Sequence, residues 1–293
     1  MACKYLSIFF LVCLAANAAQ TQAQTWTVPP AAKEQVSRTT TAALYRQRGD
    51  EWQTKDEFER AIRDYNLAIA TNPQDAESFN NRGLAQFKLR EYAAALDDYN
   101  RALVLRPAYV KIIYNRGIVH KTMGDLEQAV RDFDQTLALH PTFVEALNNR
   151  GNVRRSLGDL AGALADYDAA LQLNPKLAEA YINRAAIKLA QQDARGALQD
   201  SQHALKLNPQ LAAAYHNRGL ALKALQSFAA AHESFSRALD LNPQCAEAWL
   251  QRGFMNRLKN DVVAAEADFT QALKLNPDLQ AALNNSLRFF GAK

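Results

Sequence analysis

Seven prolines fall 34 residues apart without a slip, at Pro73, Pro107, Pro141, Pro175, Pro209, Pro243 and Pro277. A period held this strictly restricts the architecture. Each unit is one supersecondary element that cannot bury its apolar face alone, and stacking on its neighbours covers that face. Seven copies fill residues 42–279, divided as 42–75, 76–109, 110–143, 144–177, 178–211, 212–245 and 246–279.

The copy at 144–177 shows what the unit is. Leu147, Gly151 and Val153 share one face at helical spacing, and Leu160, Ala163, Leu164, Tyr167, Ala170, Leu171 and Leu173 do the same in the second half. Between them Gly158 suits the left-handed residue that ends one helix, and Asp159 suits the cap that starts the next. Gly124-Asp125 repeats this junction, and Asp193, Ser227 and Asp261 keep the capping residue where the glycine is lost. The second helix stops at Asn174-Pro175, because proline disfavours helix in the residue before it. Each unit therefore reads as a helical hairpin.

Small residues mark where the two helices approach. The first helix carries Gly49, Gly83, Gly117, Gly151, Gly219 and Gly253, with Ala185 in the fifth copy; the second carries Ala61, Ala95, Ala129, Ala163, Ala197, Ala231 and Ala265. Glycine inside a helix costs about 1 kcal/mol against alanine, so its return in nearly every copy points to a packing need. Aromatic residues fill the rest: Tyr45, Phe79, Tyr181, Tyr215 and Trp249 in the first helix, and Tyr65, Tyr99, Phe133, Tyr167, Phe235 and Phe269 in the second.

Period, glycine, alanine, aromatics and terminal proline together resemble the tetratricopeptide repeats, over about 240 of 293 residues. The resemblance implies an all-α fold: a right-handed superhelical solenoid of seven 34-residue helical hairpins plus a C-terminal capping helix. It also implies that the first helices line a concave groove, and that the role is binding other proteins rather than catalysis. One departure recurs. Where the family often has leucine before the glycine, this chain has arginine. The cap is read at 280–293, where Leu283-Asn284-Asn285 copies Leu147-Asn148-Asn149 but Ser286 and Leu287 replace the arginine and glycine.

Residues 1–23 stand apart from the repeats. Lys4, the apolar run Tyr5–Ala16 and a small-x-small site at Ala16-Asn17-Ala18 (with Thr21-Gln22-Ala23 as a second choice) read as a secretory signal cleaved after residue 18 or 23. The apolar run is shorter than the roughly 20 residues a membrane span needs. Cys3 and Cys13 would leave with it, so only Cys245 remains and no internal disulfide forms. Residues 24–41, with Pro29-Pro30, read as a linker. The expected location is periplasmic or secreted.

The net charge of +4 becomes +3 when Lys4 is removed, and acids are interspersed with bases throughout. No clustered basic patch points to nucleic acid. The five histidines occupy five different places in the repeat, so no metal or cofactor is expected.

Two ladders run through the copies. Arg48, Arg82, Arg116, Arg150, Arg184, Arg218 and Arg252 face Asp64, Asp98, Asp132, Asp166, Asp200, Ser234 and Asp268 across each hairpin, which predicts a repeated ion pair with Arg218 as the unpaired copy. One residue earlier, Gln47, Asn81, Asn115, Asn149, Asn183, Asn217 and Gln251 place a carboxamide in every repeat. A carboxamide donates and accepts, so this row suits the main chain of an extended peptide, or else bonds to the neighbouring repeat. Tyr114, Lys121, Asn148, Asn152, Arg155 and His216 join it as expected groove residues. The expected function is a non-enzymatic scaffold or adaptor of the bacterial envelope that binds a protein or an extended peptide. The alternatives are a structural subunit of an envelope assembly and a binder of peptidoglycan or another carbohydrate. No membrane insertion is expected after signal cleavage.

Overall fold

The computed structural model describes residues 30–291; the signal segment at 1–23 and its two cleavage sites lie outside the described residues. Among the described residues there are fifteen α-helices and no strand. The chain divides into two compact units, Met1–Ser78 and Phe79–Lys293.

The first unit holds α1 (Pro30–Thr54) and α2 (Phe58–Thr71). Here the linker reading of 24–41 needs correction, since from Pro30 onward that segment is the start of α1. The local chemistry explains it. Proline is well placed at a first helical position, and the Ala-Ala-Lys-Glu-Gln that follows favours helix. An Arg38–Glu34 pair at 2.6 Å adds one turn of support on the exposed surface. Ala42, Ala61, Tyr65 and Ala68 form the buried side of this hairpin.

The hairpins continue as α3 (Ala76–Lys88) with α4 (Tyr92–Leu105), α5 (Val110–Met123) with α6 (Leu126–Leu139), and α7 (Val144–Ser156) with α8 (Leu160–Leu173). They are followed by α9 (Ala178–Ala190) with α10 (Ala194–Leu207), α11 (Ala212–Ala224) with α12 (Phe228–Leu241), and α13 (Ala246–Leu258) with α14 (Val262–Leu275). Within the second unit each of these hairpins packs on the next, and first helices of successive hairpins also meet, α5 with α7 and α9 with α11. A 3-10 turn at Pro277–Leu279 leads into α15 (Gln280–Gly291), whose Leu283 joins Leu250, Phe254 and Phe269 in the last core cluster.

The helix glycines pack against rings. A Cβ built on Gly151 would lie 2.7 Å from the Tyr167 ring, and one on Gly219 would lie 2.5 Å from the Phe235 ring. The small residue is thus needed against the aromatic side chain of the second helix, sixteen positions on, rather than against its alanine as the sequence suggested. The fifth hairpin confirms the cause: Ala185 stands where the glycine would be, and the residue sixteen on is Ser201, with both fully buried. The alanines of the second helices, Ala61 to Ala265, are fully buried in every copy.

Gly124 and Gly158 adopt φ of 87° and 85°, the left-handed geometry their turns require. Asp56, Arg90, Gln192, Gln226 and Asn260 take the same conformation in the copies that lack glycine. Asp159, Asp193 and Asp261 accept a hydrogen bond from the main-chain N–H three residues on, whereas Asp125 and Ser227 make no side-chain cap.

Candidate functional site: the first-helix row and the arginine ladder

The arginine ladder is present and more elaborate than a single pair. Arg48 meets Asp64 at 2.5 Å, Arg82 meets Asp98 at 2.6 Å, Arg116 meets Asp132 at 2.6 Å, Arg150 meets Asp166 at 2.5 Å, Arg184 meets Asp200 at 2.6 Å and Arg252 meets Asp268 at 2.7 Å. All six aspartates are buried. Four of them are held by a second donor one helical turn beyond the arginine: Trp52 for Asp64, Arg154 for Asp166, Lys188 for Asp200 and Asn256 for Asp268. The hydrogen bond from Arg48 holds the Asp64 carboxyl below its ordinary range, and the bond to Asp200 raises the Arg184 guanidinium above its own. Each aspartate is shielded from water, although Arg48 itself is exposed, and bonding at several atoms lets these pairs fix hairpin register.

Three arginines also reach the second helix of the preceding hairpin. Nη1 of Arg116 donates to Asn100 at 2.8 Å, that of Arg150 to Asp134 at 2.6 Å, and that of Arg184 to Asp168 at 2.6 Å. This second column was missed in the sequence, although a check sixteen residues before each arginine finds it.

The carboxamide row runs along the first helices, and most of its members are bonded within the protein. Asn81 accepts from Asn80 at 2.8 Å, Asn115 donates to Asn80 at 3.1 Å, and Asn217 donates to the carbonyl of Ile182 at 3.0 Å. Asn149 donates to the Tyr114 hydroxyl at 2.9 Å and accepts from Lys121 at 2.6 Å. Gln251 accepts from Lys223 at 2.7 Å. Gln47 lies exposed in the first unit.

Two expected groove residues are turned inward instead. Asn148 is buried, with its Oδ1 unbonded, and the Nε2 of His216 is likewise buried and unbonded. The reason is register: the residue just before the carboxamide points at the adjoining core. Tyr114 holds the same place and packs 4.8 Å from the Phe143 ring and 5.8 Å from that of Phe133. His216 packs 5.9 Å from Phe235, and burial lowers its pKa, which favours the neutral ring.

Lys121 and Lys223 occupy one repeat position, three copies apart, and each bridges to the carboxamide of the next copy. Burial lowers both ammonium pKa values. Arg155 holds this position in the copy after Lys121, and the matching carboxamide is Asn183. Those two side chains make no such bond. A cavity of about 330 Å³ separates them instead, lined by Lys121, Leu126, Asn152, Val153, Arg155, Ser156 and Asn183. Asn152 accepts from the Tyr167 hydroxyl at 2.7 Å, which leaves its amide N–H groups for the cavity. Four of the expected site residues, Lys121, Asn152, Arg155 and Asn183, thus come together, with Ser156 as an addition the sequence did not suggest.

Among the described residues no group of His, Cys, Asp and Glu is placed to hold a metal, and no helix is long and apolar enough to cross a membrane. Burial raises the Cys245 thiol, which weakens it as a nucleophile.

Family profiles described as tetratricopeptide repeat match residues 76–109, 114–178 and 216–280, together more than half of the chain. No curated protein sequence matches it. Among solved structures, it is similar to a tetratricopeptide repeat protein from Parabacteroides merdae, at 19% identity and TM-score 0.64, covering 85% of this chain and 98% of the other. It is also similar to PilF of Pseudomonas aeruginosa, at 17% identity and TM-score 0.65, covering 74% of this chain and 99% of the other. A third is YrrB, described as a TPR protein with an unusual peptide-binding site, at 20% identity and TM-score 0.53, covering 64% of this chain and 97% of that one. At these identities the likeness concerns the fold.

Proposed function

We propose, from the premise that the chain belongs to the tetratricopeptide-repeat family, that it holds an extended segment of a partner protein along its first helices. The family's fold serves as a protein–protein interaction scaffold, and its members are generally non-enzymatic. YrrB offers a precedent for a peptide site on such a scaffold.

The observation that carries the finer reading is the open step at Arg155 and Asn183. Where the row is closed, a half-buried lysine occupies the carboxamide of the next copy. At Arg155 the cation and the carboxamide both face an unfilled cavity, which suits a main-chain amide beside a carboxylate or polar side chain. The segment bound there is therefore read as extended and acidic or polar. Partner and scaffold would meet in the cell envelope, a location that rests on the signal-like segment 1–23.

The test is cross-linked co-purification from the envelope fraction, comparing the parent with an Arg155→Gln, Asn183→Ala variant that melts at a similar temperature. A partner captured by the parent and lost by the variant supports the reading. Equal capture by both overturns it.

A further inference from the structure

The sixth hairpin departs from the arginine ladder at every position that matters. Arg218 donates through Nε to Ser234 at 2.9 Å, where other copies present a buried aspartate. The Ser234 hydroxyl is fully buried and spends its own proton on the carbonyl of Ala230 at 2.7 Å. Sixteen residues before Arg218, in the column that holds Asp134 and Asp168, stands the exposed Gln202. One turn beyond Arg218, where Arg154 and Lys188 supply a second donor to the aspartate, stands Leu222. Both carboxylates and the helper cation are absent together.

The arginine keeps its posture. Its Cζ lies 5.3 Å from the centre of the Tyr215 ring, as that of Arg184 lies 5.4 Å from Tyr181 and that of Arg252 lies 4.6 Å from Trp249. Nη1 and Nη2 of Arg218 have no carboxylate partner among the described residues, and beside them opens a cavity of about 410 Å³ lined by Gln202, Leu205, Lys206 and Arg218. A guanidinium is an obligate cation with five donors in a planar fork, and here only the Nε donor is used.

We propose that this cavity, between α10 and α11, is a second binding site that takes a carboxylate side chain of a partner protein. The incoming carboxylate stands where Asp168 stands for Arg184, with Lys206 adding a second positive charge and Gln202 an amide donor. Leu205 lies against the aliphatic part of the ligand. A carboxylate is favoured over other anions because the neighbouring hairpins show the same fork closing on carboxylates at 2.5–2.6 Å. The site uses none of the Arg155 and Asn183 cavity, so the two readings stand or fall separately.

The ladder supplies its own control. Gln202→Asp restores the carboxylate that Asp134 and Asp168 present to Nη1 of Arg150 and Arg184, on the wall of the cavity itself, and it should occupy the fork and close the site. The probe is an acetylated, amidated pentapeptide of sequence Gly-Glu-Asp-Glu-Gly, titrated while the Arg218 Nε–Hε signal is followed by NMR. That signal is assigned by its loss in Arg218→Lys. Sodium chloride and inorganic phosphate are titrated at matched ionic strength. The expected result is a saturable shift with the peptide, weakened about tenfold or more in Gln202→Asp, and none with chloride. A shift that is equal with chloride, or unchanged by Gln202→Asp, overturns the proposal. Saturation by phosphate but not by the peptide also overturns it and reassigns the site to a phosphate ligand.

Discussion

At the scale of single residues, the glycine facing a ring sets what the hairpin tolerates. In Gly151→Ala the new Cβ meets the Tyr167 ring at 2.7 Å. Overpacking costs about 1–3 kcal/mol and the gain in helix propensity returns about 1, so a net loss of up to about 2 kcal/mol is expected in urea unfolding. The converse change, Ala185→Gly beside Ser201, relieves no clash and should lose about 1–2 kcal/mol, through propensity and the buried methyl it removes. A second prediction concerns Asp64, whose folded-state pKa is depressed by the hydrogen bond from Arg48. Its contribution is present above the unfolded carboxyl pKa, roughly 3.9, and is lost as pH falls through the lower folded value. Asp64→Asn should therefore show a shallower loss of melting temperature on acidification than the parent does, measured by thermal unfolding across the acid limb. An identical acid limb in both proteins would sink that assignment.

At the scale of elements, the turn inside each hairpin shows where sequence reading reached and where it stopped. Gly124-Asp125 and Gly158-Asp159 were legible because glycine and aspartate are the residues such junctions prefer. Arg90, Gln192 and Gln226 were not, because nothing in their chemistry favours a positive φ, yet they take values of 64°, 64° and 60°. Register imposes the conformation: the helices on either side are held by the ring contact and the ion pair, and the connecting residue must follow. The local cost is about 1 kcal/mol or more per residue. Arg90→Gly, Gln192→Gly and Gln226→Gly should each raise stability, by about 0.5–1 kcal/mol once the extra freedom of glycine in the unfolded chain is set against the relief of strain. Chemical denaturation of the triple variant should show the gains as nearly additive, since the turns lie in separate hairpins. No gain in any of the three would mean that these side chains make compensating contacts.

At the scale of the whole molecule, the period made the helices, their pairing and the ladder of ion pairs readable, because each is a local rule repeated. The candidate site was readable only in part. Asn148 and His216 looked like groove residues, and the offset that turns them inward depends on how one hairpin sits on the next, which residue type does not encode. Of the two steps between the closed ones at Lys121 and Lys223, that at Leu189 has no cation, and that at Arg155 has a cation which does not reach Asn183; the cavity there becomes visible only once Lys121 and Lys223 are seen bonded. In a stacked architecture stability is roughly a sum of unit and nearest-neighbour terms, so damage should stay local. Leu283 tests this. It is buried in α15 and covers Leu250, Phe254 and Phe269 in the cluster formed by the last hairpin. Leu283→Ala removes that cover, and the expected cost is about 2–5 kcal/mol, at the lower end where the site opens to solvent and can relax. Hydrogen exchange should quicken in α13 and α14 while α5 to α8 keep their protection, because no interface of theirs has changed. Faster exchange spread evenly from α5 to α14 would instead show that the hairpins unfold as one cooperative body, and the additive picture would fail.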